Sequence, residues 1–167
     1  MSKDSERNFV LQQGFPEVSS ETCSYQYPAL MWQPRLIALI VPVGLILQAW
    51  PLFVGLSAIL WWNVAVPSWN PFDLSYNLFA AKSGRPKAPV APAPRRFSQG
   101  MAACFMGGIG ASLYWGWPVA AYTLEALLVV ALVSLVVGRF CLGSYIFHVL
   151  TGQTAFANRT LPWAKTR

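Results

Sequence analysis

The stretch PVAAYTLEALLVVALVSLVV, residues 118–137, decides the fold. It carries one charge, Glu125, in a run as long as the roughly 20 residues that an α-helix needs to cross a bilayer core. Three more apolar runs lie upstream: LIALIVPVGLILQA (36–49), PLFVGLSAILWWNVAV (51–66) and FSQGMAACFMGGIGASLY (97–114). The run at 97–114 also has spanning length. The two before it fall short of the usual minimum of about 17 residues. They need flanking residues or local thinning to cross, with a re-entrant hairpin as the alternative for that pair.

Composition points the same way. Of 167 residues, 55% are hydrophobic and 11% charged, against about 25% charged in ordinary soluble domains. Mean hydropathy is +0.43. A chain this small has too much surface for its volume to hide that much apolar area from water. A soluble globular enzyme, a disordered tail and a disulfide-stapled secreted domain are thereby excluded. The net charge of +6 comes from basic residues that flank apolar runs, which is membrane anchoring rather than a nucleic-acid face. The expected partners are the lipid bilayer and membrane protein subunits, not nucleic acid. Three cysteines, Cys23, Cys104 and Cys141, have no metal-ligand spacing, and no metal site is expected. The polar first residues lack the apolar core of a secretory signal peptide.

The expected fold is an all-α integral membrane protein, with four transmembrane helices as two hairpins and a short interfacial helix between them. Residues 1–28 read as a polar tail, loosely ordered unless something holds it, with Gly14-Phe15-Pro16 breaking any helix. The first hairpin takes 29–67, the interfacial helix and Pro-rich linker 68–96, the second hairpin 97–150, and a basic tail 151–167. The halves resemble each other. Pro34-Arg35 and Pro94-Arg95-Arg96 each open a helix, and Trp50-Pro51 and Trp117-Pro118 each turn it, giving two hairpins side by side.

The turns at 48–51 and 114–118 are uncharged. Lys82, Arg85, Lys87, Arg95 and Arg96 outnumber Asp73 in the central connection, and Arg139, Arg159, Lys165 and Arg167 follow the last span. The positive-inside bias puts both termini and the central loop in the cytoplasm, with Arg35, Arg95, Arg96 and Arg139 flanking the membrane. Trp50, Trp115 and Trp117 then mark the outer interface, and Trp32, Trp69 and Trp163 the inner one. Asn70, Pro71 and Asp73 start the interfacial helix, whose apolar face is Phe72, Tyr76, Phe79 and Ala80.

Chemistry-bearing residues are few. Gly100, Cys104, Gly108 and Ser112 form one line on the third helix, with Ala103, Gly107 and Ala111 beside it. That is close helix packing, or a groove for a flat cofactor or lipid tail. Glu125 is an intramembrane acid that reaches water at the outer interface or meets a partner's arginine or a cofactor. Between Gly138 and Gly143 the chain must leave the bilayer or bend, because a helix from Pro118 to Leu150 would be about 50 Å long. Cys141, Ser144, Tyr145 and His148 then share a face. A thiol beside Arg139 and a histidine is a redox candidate, with Cys104 in the same leaflet. His148, the lone histidine, is a candidate axial ligand to chlorophyll or haem.

Pro94-Arg95-Arg96-Phe97-Ser98-Gln99-Gly100 and Gly138-Arg139-Phe140-Cys141-Leu142-Gly143-Ser144 resemble an uncharacterised bacterial membrane protein family of the domain-of-unknown-function 4395 type, over roughly residues 34–148. The resemblance implies a second cysteine at the end of that motif, making Cys-x-x-Cys, where this chain has Ser144. A dithiol cycle within the motif is lost with it. A mixed disulfide through Cys141, or a cycle using Cys104, stays open.

No complete catalytic set is present, so no enzyme is expected. The leading expectation is a non-catalytic accessory or assembly subunit of a larger membrane complex, photosynthetic or respiratory. The alternatives are a membrane thiol protein working through Cys141 with a cytoplasmic redox partner, and a small transporter.

Overall fold

A computed structural model describes residues 3–15, 19–84 and 86–164, and these residues are helical with short connections. In chain order the helices are α1 (Lys3–Gln12), α2 (Ser20–Leu47), α3 (Trp50–Ala65), α4 (Pro71–Lys82), α5 (Ala93–Tyr114), α6 (Pro118–Val136), α7 (Leu142–Leu150) and α8 (Thr154–Arg159). A single 3-10 turn, Pro67–Trp69, joins α3 to α4. Arg85, Lys165 and Arg167, which enter the charge bias, lie outside the described residues, as does Pro16.

Part of the N-terminal segment is helical. Its residues 3–12 form α1, which buries Phe9 and Val10 completely. A helix of ten residues is marginal alone in water, so packing must hold it. Phe9 stacks edge-on against Tyr27 of α2 at 5.7 Å. Gly14, at φ +96°, ends the segment where the sequence reading places a breaker. The next helix also starts earlier than expected, at Ser20, and keeps Pro28, Pro34 and Pro42 inside it. Each proline removes one helical hydrogen bond without stopping a helix whose neighbours hold it.

Two helices are long and apolar enough to cross a membrane, by length and composition: α2 over Cys23–Leu47, and α6. Helix α3 is apolar but shorter. The first apolar run gains spanning length from the residues before it, which α2 includes. Helix α5 has 22 residues, but its glycines, Gln99 and two arginines dilute it, because part of its surface faces other helices.

α2, α3, α5 and α6 form a ring in which each touches the next, and α3 lies most extensively on α5. All four supply the core: Ile37 and Val41, then Phe53, Leu56 and Leu60, then Ala103, Met106 and Ile109, then Leu128. Small residues make the α3–α5 approach possible. A β-carbon on Gly110 would lie 2.7 Å from Val54 and 3.2 Å from the Trp50 carbonyl oxygen. One on Gly107 would lie 3.0 Å from the Ser57 hydroxyl, which donates to the Ala103 carbonyl at 2.8 Å. Gly108 faces Leu124 of α6 instead, and at Gly100 a β-carbon would meet ordinary contacts at 3.8 Å.

Helix α4 starts as expected. Asn70 accepts from the Phe72 amide at 3.0 Å, and Pro71 stands in the first turn. Tyr76 and Ala80 are buried, but Phe79 is exposed, rotated out to lie against the Trp32 ring at 5.4 Å. The bend after α6 falls at 138–141, where Arg139 adopts φ +53°.

Gly110→Ala should overpack the α3–α5 seam and lower stability by about 1–3 kcal/mol. Gly100→Ala should leave it unchanged or slightly raised, because alanine favours helix. Thermal unfolding of both variants in one detergent checks the contrast.

Candidate functional site

Two clusters sit at the end of the bundle that holds Arg95, Arg96 and Arg139, and one at the opposite end. The first joins three helices through one oxygen. Gln33 Oε1, on α2, accepts from Gln99 Nε2 at 2.9 Å, Asn70 Nδ2 at 3.3 Å and Arg95 Nη2 at 3.4 Å. Arg95 Nη2 also donates to Asp73 Oδ1 at 2.9 Å, and Asp73 Oδ2 accepts from Asn70 Nδ2 at 3.0 Å. All five side chains are buried. Arg95, expected to flank the membrane, instead forms a buried ion pair. Arg96 donates twice to the Val64 carbonyl, at 2.7 and 3.0 Å, and so closes the last turn of α3. Arg35 is exposed.

The second cluster surrounds Cys141. Gly143 has its α-carbon where any β-carbon would strike the Ser98 backbone at 2.8 Å, so α7 seats directly on α5. Ser98 donates to the Pro94 carbonyl at 2.9 Å, and Ser144 Oγ lies 2.8 Å from Ser98 Oγ. Cys141 Sγ is 3.4 Å from each hydroxyl oxygen. Helix α1 and the residue after it cover this group. Gln12 Oε1 accepts from the Cys141 amide at 2.9 Å, and Gln13 Nε2 donates to Ser144 Oγ at 3.1 Å. The thiol is 6% exposed.

Arg139 and His148 each make contacts of their own beside this cluster. Arg139 is not aimed at the thiol. It pairs with Glu6 at 3.0 Å and lies over the Tyr27 ring at 5.0 Å, held by charge and stacking rather than an aligned hydrogen bond. His148 is committed as well. Its Nε2 lies 3.1 Å from the Gln12 carbonyl oxygen, and its Nδ1 2.8 Å from Gln153 Oε1. Both ring nitrogens thus face oxygens of this chain rather than an open pocket. Tyr145 turns away to the Asn158 side chain at 3.0 Å. Cys104 is exposed on α5, six residues beyond Ser98 and about 9 Å along the axis. Cys23 shares the buried cluster of Cys141 instead. Its spacing with Tyr27, Leu30 and Met31 is the periodic signal that marks this neighbour in the sequence.

At the opposite end Glu125 is buried, 7% exposed. Gln48, at φ +47°, ends α2 and turns its amide toward α6. Its Nε2 lies 3.2 and 3.4 Å from the two carboxylate oxygens. A groove of about 430 Å³ opens nearby between α3 and α5, lined by Trp50, Val54, Ser57, Gly107, Gly110 and Tyr114 among others. Those six residues are suited to a hydrocarbon tail and include no strong metal ligand. Among the described residues no three His, Cys, Asp or Glu side chains gather as a metal site.

A family model described as a domain of unknown function matches residues 28–151. The chain belongs to the DUF4395 family. No curated protein and no solved structure matches it. The DUF4395 region contains Gln33, the Arg95 network, Glu125, Cys141 and His148, whereas α1 and α8 lie outside it. The lid over the DUF4395 cysteine is therefore supplied by residues beyond the matched region.

Maleimide should label Cys104 of the folded protein in detergent within minutes, leaving Cys141 and Cys23 unlabelled until denaturant is added. Peptide mass spectrometry reads the three sites. Asp73→Asn strands the Arg95 charge and should cost about 3–5 kcal/mol, and Arg95→Met with Asp73→Leu should recover much of that loss. Thermal unfolding of the single and double variants measures the difference.

Proposed function

We propose that this DUF4395 protein is a non-catalytic accessory subunit that binds within, and helps to assemble, a larger membrane protein complex. The observation that carries this reading is where its reactive groups point. Arg95 and Asp73 hold each other, Glu125 holds Gln48, and His148 holds Gln12 and the Gln153 amide. Cys141 is enclosed by Ser98 and Ser144. Each joins one part of the chain to another, and they do not converge on an open pocket, as an enzyme's groups must.

What faces outward is apolar. Val119, Tyr122, Val130, Val133 and Val137 run along α6 at 55–80% exposure. In this reading that face meets lipid and a partner's helices, with small-residue seams already used internally. All four ring helices cross the bilayer, α3 at about 24 Å by tilting or local thinning. The charge bias places both termini and the α4 connection on the cytoplasmic side.

Transport is disfavoured by the apolar core layer of Val41, Phe53, Leu60, Met106, Ile109 and Leu128, which separates the polar groups of the two ends. A thiol role has one supporting observation, the Cys141 sulfur set between two hydroxyls in the same buried cluster as Cys23.

Tagged protein extracted in mild detergent should elute with a membrane protein partner in fixed ratio. A photo-crosslinker at Val130 should capture that partner, and Cys141→Ser should leave the ratio unchanged. A lone protein whose crosslinks go only to lipid would overturn the accessory role. Loss of the complex in Cys141→Ser would favour the thiol reading.

A further inference from the structure

Asn63 on α3 is 0% exposed, and neither its Oδ1 nor its Nδ2 has a hydrogen-bond partner among the described residues. Two members of the Gln33 network carry matching deficits: Arg95 Nη1 and Gln99 Oε1 are buried and unpaired. Helix register sets the three residues at one level of the α3–α5 seam. The Ser57–Ala103 and Arg96–Val64 bonds fix α3 antiparallel to α5. That register sets Asn63 midway in height between Arg95 and Gln99. Asn63 stands in line with Phe53, Leu56 and Leu60, which are the buried face of α3. Arg95 and Gln99 stand in line with Ala103 and Met106, the buried face of α5.

Buried polar atoms are almost always hydrogen-bonded. Here two donors, Asn63 Nδ2 and Arg95 Nη1, are matched by two acceptors, Asn63 Oδ1 and Gln99 Oε1. Charge is already closed, since Asp73 neutralises Arg95 at 2.9 Å. An anion would leave the two acceptors unanswered, and a cation would sit beside a guanidinium. The complement of two donors and two acceptors at zero net charge is water, which offers two of each and makes about three hydrogen bonds when buried.

We propose that the bundle interior between Asn63, Arg95 and Gln99 is a water-binding site. Bound water is then the link between α3 and the polar network of α2, α4 and α5, a connection that the side chains do not make directly.

Asn63→Leu tests this by the sign of the effect. If Asn63 pairs with nothing, removing its amide relieves a buried deficit and raises the unfolding temperature in detergent. If it binds water, the substitution strands Arg95 Nη1 and Gln99 Oε1, and the temperature falls by several degrees. A rise or no change overturns the proposal. Should the variant fail to fold, a structure of the unaltered protein at about 2 Å resolution decides. Solvent density about 3 Å from Asn63 and Arg95 Nη1 supports the site. Direct bonds between these side chains, or an ion between them, overturn it.

Discussion

A buried polar group in a chain this apolar needs a hydrogen-bond partner, because apolar surroundings supply none. The structure meets that demand through side-chain amides. Gln33 gathers α2, α4 and α5 at one carbonyl oxygen. Gln48 does the same for a carboxylate between α2 and α6, and Gln12 for α1 and α7 through its side chain and its carbonyl. Glutamine suits the task. It donates and accepts without a net charge, so its burial costs far less than that of an ion.

These amides act where apolar packing is weakest. The middle of the ring is held by Phe53, Leu60, Met106 and Ile109 and by the glycine seam of α5. The ends, where helices splay into short connections, have little apolar area to share. There the chain uses directional bonds, which fix rotation as well as distance. Helix α6 lacks such a seam over most of its length and presents much of its surface outward. It is the helix whose surroundings must come from outside the chain.

How much of this could be read in advance follows the range of each interaction. The α6 run, the Asn70 start of α4 and the break after Val136 rest on composition or on neighbours a few positions apart, and they are where the sequence places them. The docking of α1 rests on bonds between residues more than 120 positions apart, which periodicity cannot register. The same holds for the Arg95–Asp73 pair, whose members looked like surface charges because their burial is a tertiary fact. Cys141 and Ser144 were legible as neighbours from their spacing. The commitment of His148 was not, since Gln12 is 136 positions away.

The contacts of α1 have a consequence for the order in which the molecule is made. Asn8 Nδ2 donates to the carbonyls of Leu161 and Ala164, at 2.9 and 3.0 Å. A chain emerging from the ribosome has its first helix long before it has those carbonyls. Phe9 can meet Tyr27 of α2 early, but the bonds of α1 and Gln12 to Cys141, His148 and Leu161 wait until those residues are made. The cover over Cys141 thus joins Gln12 and Gln13, made early, to Ser98 and Ser144, made much later. The two ends of that cover are separated by more than eighty residues of chain, so its closure is a long-range step of folding rather than a local one.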